Sequence, residues 1–234
     1  MKSINKTARI AGILTLLIVV FAPFSMIYVP STLMVPGDAT VTADNIMASE
    51  GLFRLGMASD SIVFLIEIVL SVLLYVLVKP VNKTLSLTAA FSRLAMTVIQ
   101  GINLLNHFFV LLLLSGAGYL AVFSPDQINT LVMMFLTAHE NVVLIWGLFF
   151  GLHLLVFGYL VYMSGYLPKF LGLLLLIVAF CYLIQDFGNM LFPQYKALFT
   201  SIGSFAFLEI DFPLWLLIKG VNVEQWQKRV SESV

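Results

Sequence analysis

Charge is scarce in this chain, and it balances where it occurs. Of 234 residues only 10% are Asp, Glu, Lys or Arg, and they cancel to a formal net charge of zero. A water-soluble domain carries about 25% charged residues, because polar side chains must cover its surface. Too few are present here to cover one. The missing basic excess also removes the field that would draw nucleic acid to a surface. The single cysteine, Cys181, cannot form an intrachain disulfide, and its apolar surroundings in sequence read as those of a small buried hydrophobe. Local catalytic signatures are missing as well: there is no HExxH, CxxC, Gly-rich phosphate loop or GxSxG. No soluble domain, long linker, low-complexity tract or obvious inverted repeat interrupts the pattern.

What is present is apolar sequence in long runs. Hydrophobic residues make up 61% of the chain, and the mean hydropathy is +1.03. Crossing a bilayer takes about 20 residues of helix. Six stretches qualify, roughly 8–30, 54–78, 88–115, 140–163, 168–187 and 197–219. The expected fold is all-α: one domain, a polytopic bundle of six transmembrane helices. Lys79-Pro80, Ser124-Pro125-Asp126-Gln127 and Gly165-Tyr166-Leu167-Pro168 punctuate the connections. Ser124 to Gln127 reads as a capping box with Pro125 at the first helical position. A helix from there to Tyr162 would be about 55 Å long, so it must break near Glu140-Asn141 or project beyond the membrane.

Basic residues orient the chain. Lys2, Lys6 and Arg9 precede the first span; Lys79, Lys83 and Arg93 are assigned to the second loop, Lys169 to the fourth, and Lys219, Lys228 and Arg229 to the tail. Only Arg54 and Lys196 fall on the other side, with Asp38, Asp44, Glu50 and Asp126. Both termini are therefore expected in the cytoplasm. The N-terminal run, followed by Val41-Thr42-Ala43, also resembles a signal peptide. Its apolar core is too long for one, and cleavage would leave an odd number of spans, so retention is expected. Asn5-Lys6-Thr7 and Asn82-Lys83-Thr84 match the glycosylation pattern, but on the inner side they read as turn or cap residues.

Charged groups in hydrocarbon cost about 2.5–3.5 kcal/mol each on insertion scales, so they face the interior in pairs. Counting 1.5 Å per residue sorts those present into two layers. Near the midplane lie Glu67, Gln100, Asn103, His153, Glu209 and Asp211; nearer the outer surface lie Asp60, His107, His139, Glu140 and Asp186. Asp60 and Glu67 are seven apart and share a helix face. Arg93, Thr97, Gln100, Asn103 and His107 fall within an arc of about 120°, and His139, Trp146, Phe150 and His153 share a third face. Pro213 cannot donate to the carbonyl of Glu209, which leaves an acceptor free or served by a neighbour. Gly147-Leu-Phe-Phe-Gly151 is a GxxxG pattern, read as packing inside the bundle.

Recurring segments carry a family resemblance. They are Ala43-Asp44-Asn45-Ile46, Leu52-Phe53-Arg54-Leu55-Gly56, Leu74-Tyr75 with Lys79-Pro80-Val81-Asn82-Lys83, Phe149-Phe150-Gly151-Leu152-His153, Gly158-Tyr159, Ser164-Gly165-Tyr166-Leu167-Pro168, and Glu209 with Trp215-Leu216-Leu217 before Lys219-Gly220-Val221. In these the chain resembles a bacterial membrane family known as domain of unknown function 4386. The resemblance spans almost the whole chain and includes His153 and Glu209; Lys83 stands where arginine is more usual. It implies a bacterial cytoplasmic-membrane location and no particular activity.

Three functions fit these residues. The first is binding or transport of a small or lipophilic molecule at a protonatable site of Glu67, His153 and Glu209. The second is a membrane-embedded enzyme whose histidines and carboxylates hold a metal that activates water on a lipid-like substrate. The third is a non-catalytic subunit or sensor whose polar layer assembles the bundle or contacts a partner. No motif implies a cofactor. The expected partners are the lipid bilayer and a small-molecule or lipid ligand, with no nucleic acid.

Overall fold

Helix starts and breaks follow the local chemistry. The computed structural model describes residues 3–232, so Lys2, counted among the N-terminal cations, lies outside the described residues. Helix α1 (Ser3–Pro23) runs to a proline that removes a backbone donor, passes through a π-helical turn (Phe24–Tyr28) and continues as α2 (Val29–Leu33). A short helix, α3 (Ala39–Ala48), starts where Asp38 accepts from Val41 N at 2.9 Å. Then come α4 (Glu50–Val78), α5 (Lys83–Leu113), α6 (Pro125–Met163) and α7 (Lys169–Leu191). After these, α8 (Lys196–Gly203) and α9 (Asp211–Ile218) flank a 3-10 stretch (Ser204–Ile210), and α10 (Val223–Glu232) ends the described chain.

Six segments are long and apolar enough to cross a membrane: Ile4–Leu33, Glu50–Val78, Lys83–Leu113, Pro125–Met163, Lys169–Leu191 and Pro193–Ile218. There is no strand among the described residues. The protein is an all-α, multi-pass membrane protein.

Several boundaries move outward from the hydropathy reading, because caps set them rather than apolarity. Ser124 and Gln127 form the capping box reciprocally: Gln127 N donates to Ser124 Oγ at 3.3 Å, and Ser124 N to Gln127 Oε1 at 2.8 Å. From there α6 runs unbroken for 39 residues, through Glu140-Asn141. It is about 58 Å long and exceeds the hydrocarbon thickness. Asn82 caps α5 by accepting from Leu85 N at 2.9 Å. Arg93, counted with the cations of the second loop, is instead buried within α5. The carbonyl of Glu209 is met by Asp211 N–H, so it is not the free acceptor that Pro213 alone implies.

The described residues form two compact units. One comprises residues 3–17, 66–98 and 144–232; the other comprises 18–65 and 99–143.

In the first unit the chain ends are tied together: Asn5 Oδ1 accepts from Val221 N at 2.8 Å, and Gly12 packs so closely that a Cβ would stand 2.7 Å from Pro213 O. The last carbonyls of α4 are also served. Leu77 O accepts from Tyr166 OH at 2.8 Å and from Trp226 Nε1 at 3.1 Å. Burial raises the Tyr166 phenol above its ordinary range, which keeps it a donor. Helices α6 and α7 form a hairpin across a turn where Gly165 takes φ +77°, and a glycine seam joins them. A Cβ on Gly172 would stand 2.5 Å from Tyr162 N and 2.7 Å from Gly158 O; one on Gly151 would stand 2.8 Å from Leu183 Cγ. The GxxxG pattern thus packs internally.

The second unit closes on an apolar cluster that includes Val29, Ile46, Phe53, Val110, Val132 and Leu136, beneath α3 and the 3-10 turn Gly118–Val122.

Candidate functional site

The short α4–α5 connection makes an antiparallel pair, and its register brings α4 carboxylates to α5 donors. One turn from the contact of Ser71 Oγ with Ala90 O (3.2 Å), Glu67 meets Arg93. Arg93 Nε donates to Glu67 Oε2 at 2.5 Å and Nη2 to Oε1 at 3.1 Å, a two-pronged ion pair. On its other edge Nη1 lies 2.9 Å from His153 Nε2, and His153 Nδ1 lies 2.8 Å from Ala89 O. These partners assign the imidazole. A carbonyl only accepts and a guanidinium only donates, so Nδ1 carries the proton and Nε2 is the bare acceptor. Glu67 is 6%, Arg93 5% and His153 1% exposed, so the three form a desolvated charge centre.

Rings hold this centre in place. Trp146, Phe150, His153 and Phe157 stack along α6 with successive centroids 5.2, 6.1 and 5.4 Å apart. The Arg93 guanidinium sits over Phe150 at 5.7 Å, a cation–π contact, and Tyr182 of α7 meets Phe150 edge-on at 5.0 Å. Glu209, from the 3-10 stretch, lies in the electrostatic field of both Arg93 and Glu67. Three of the five guanidinium N–H groups are engaged by Glu67 and His153. The centre therefore has one cation, one carboxylate bound to it and a second carboxylate nearby.

The eleven residues singled out by sequence, expected in a midplane and an outer layer, are divided differently between the two units. Glu67, His153 and Glu209 come together in the first unit, which also holds Asp186 and the exposed Asp211. Gln100, Asn103, Asp60, His107, His139 and Glu140 belong to the second unit. There Asn103 Nδ2 donates to His139 O at 3.0 Å and approaches Gln100 Oε1 at 3.2 Å, while Asn106 Nδ2 donates to Asn103 Oδ1 at 2.8 Å. His107 stacks on His139 with centroids 3.9 Å apart and meets Phe53 edge-on at 5.0 Å; neither His107 nitrogen has a hydrogen-bond partner. Asp60 is buried beside the Ser25 hydroxyl at the π-helical turn, and Glu140 is exposed. Among the described residues no three His, Cys, Asp or Glu side chains converge as metal ligands. The residue that sequence reasoning left out of the site is Arg93, which organises it.

A family model described as a domain of unknown function (DUF4386) matches residues 10–220. A protein from Archaeoglobus fulgidus, described as uncharacterized, is 29% identical over 165 residues, 70% of this chain and 83% of that one. No solved structure matches. The chain belongs to the DUF4386 family.

Proposed function

We propose that this DUF4386 protein binds or transports a small or lipophilic molecule at the charge centre built on Arg93. Glu67 and His153 hold the guanidinium, and Glu209 is the carboxylate free to exchange a proton or meet a ligand. The observation that carries this reading is the surplus at the centre: a guanidinium with unspent donors, and a carboxylate beyond the one that neutralises it. A buried ion pair is weak evidence of stabilisation, and polar contacts between membrane helices average about 0.6 kcal/mol in one measured case. Stability alone is therefore a poor reason to keep these charges in the hydrocarbon. Glu209 also rides on a non-α stretch of its span, the kind of backbone that serves binding sites in transporters. The bilayer and a small molecule are the partners this reading requires.

The setting is a cytoplasmic membrane with both termini inside. With Arg93 removed from the count, Lys6, Arg9, Lys79, Lys83, Lys169, Lys219, Lys228 and Arg229 still face Arg54 and Lys196 across the spans.

Cysteine labelling tests the site and the orientation together. In a Cys181→Ala background, a membrane-impermeant thiol reagent should reach Asp126→Cys only from outside the cell and Lys228→Cys only from inside. Glu209→Cys, or its neighbour Ala206→Cys, should react from at least one side, because binding needs a water-filled path. Silence at both Glu209 and Ala206 from both sides, with full reaction after denaturation, would replace this reading with a purely structural centre.

A further inference from the structure

A second polar site lies on α7, away from the hydrogen bonds of Arg93. Asp186 is 2% exposed, and its carboxylate occupies the gap left by Gly147 on α6, where a Cβ would overlap Asp186 Oδ2. Asp186 Oδ1 accepts from Gln185 Nε2 at 3.1 Å, whereas Oδ2 has no hydrogen-bond partner. Three residues on, along the same helix face, the buried Oδ1 of Asn189 has none either. Buried polar atoms are nearly always satisfied, so two orphans one turn apart call for a common explanation. Both are oxygens that only accept, and one belongs to a carboxylate inside a membrane span. Such a group is either protonated or balanced by a positive counter-charge, and a neutral water molecule supplies no such charge.

We propose that Asp186 Oδ2 and Asn189 Oδ1 bind a small monovalent cation, Na+ being the abundant one of this class. Both ligands are hard oxygens, which select alkali and alkaline-earth ions over softer metals. One carboxylate balances one charge; a divalent ion would leave net positive charge in the hydrocarbon. Neighbouring backbone oxygens and water complete the shell of such an ion. Gly147 is required because any side chain there would displace Asp186.

The site also has a route to the charge centre. Tyr182, one turn before Asp186, lies in the fields of both Asp186 and Glu209, and α7 packs against the 3-10 stretch that carries Glu209. A cation bound at Asp186 removes one of the two negative charges that act on Tyr182. Cation binding itself does not depend on the transport reading, and its test uses a different signal.

The test is a titration of the purified full-length protein in detergent, with choline chloride replaced by NaCl, KCl or LiCl at constant ionic strength. Na+ should raise the melting temperature saturably, by about 3–6 °C at ten times its dissociation constant. It should also change the fluorescence of Trp146, which adjoins Gly147 and meets Tyr182 edge-on at 6.2 Å; that change should vanish in Trp146→Phe while the thermal shift stays. Asp186→Asn should abolish both signals, and Asn189→Ala should weaken the apparent affinity about tenfold. If Asp186→Asn does not fold, the Asn189→Ala shift decides. Equal responses to Na+, K+ and choline overturn the proposal, as does a Na+ response that Asp186→Asn and Asn189→Ala leave unchanged.

Discussion

Replacing Arg93 with methionine should destabilise the protein by about 3–5 kcal/mol, because it strands the Glu67 carboxylate in a dry interior. His153 Nε2 loses its donor in the same step. For a chain of this size that corresponds to a melting temperature lower by on the order of 10 °C, or to failure to accumulate. The partner substitution separates stability from charge. In Glu67→Leu/Arg93→Met no buried charge is left unpaired within the pair, and buried ion pairs replaced by packed apolar residues often cost little. The double variant should therefore be more stable than Arg93→Met alone, despite carrying an extra change. A double-mutant cycle by thermal denaturation in detergent reads the coupling directly. Arg93→Met within 1 kcal/mol of the parent would mean that the pair is not formed or is not buried.

Gly172→Ala should be the most damaging of the one-carbon additions at the helix seam. The added Cβ meets Tyr162 N at 2.5 Å, Gly158 O at 2.7 Å and Tyr162 Cα at 2.8 Å, all backbone atoms that cannot rotate away. Overpacking of this kind costs about 1–3 kcal/mol and sometimes more, and here α6 and α7 must separate to relieve it. The same substitution at Gly51 or Gly101 meets nothing within 4 Å. Gly101 lies inside α5 and Gly51 in the first turn of α4, so Gly101→Ala should gain about 0.5–1 kcal/mol from helix propensity and Gly51→Ala less. Melting temperatures of the three variants, measured side by side, give opposite signs if the α6–α7 seam is as described. A neutral Gly172→Ala would contradict that seam.

Much of the fold was legible because it rests on local chemistry. Long runs without charge mark the spans, and the caps at Asn82 and Ser124–Gln127 are written in consecutive residues. Continuity of α6 was not legible, since Glu140-Asn141 suits a helix surface as well as a break. The 3-10 stretch around Glu209 was equally hidden, because Ser204–Ile210 is largely apolar and contains neither Gly nor Pro. At the charge centre, Glu67, His153 and Glu209 had been singled out by the rule that buried charge in a membrane is costly. Arg93 was placed on the inward arc of its span but also counted with the loop cations, so it was left out of the site. The signal was nevertheless present: Glu67 and Arg93 each stand thirteen residues from Pro80, so a tight α4–α5 hairpin sets them opposite. Depth counting alone placed Gln100 and Asn103 in the same layer as Glu67. Depth gives height along a helix and says nothing about which neighbours a side chain packs among, and the two amides join the second unit.

The charge centre has a spectroscopic signature that tests it most directly. The chain has three histidines, so a protein labelled with 15N-histidine and assigned with a His153→Gln variant gives a readable spectrum. His153 should carry its proton on Nδ1, hydrogen-bonded to Ala89 O, and keep Nε2 bare toward Arg93 Nη1. Arg93→Met should shift the Nε2 resonance, while Glu209→Gln should leave the tautomer in place. A His153 protonated on Nε2, or on both nitrogens, would contradict an Arg93 held between Glu67 and His153, and with it the site proposed here.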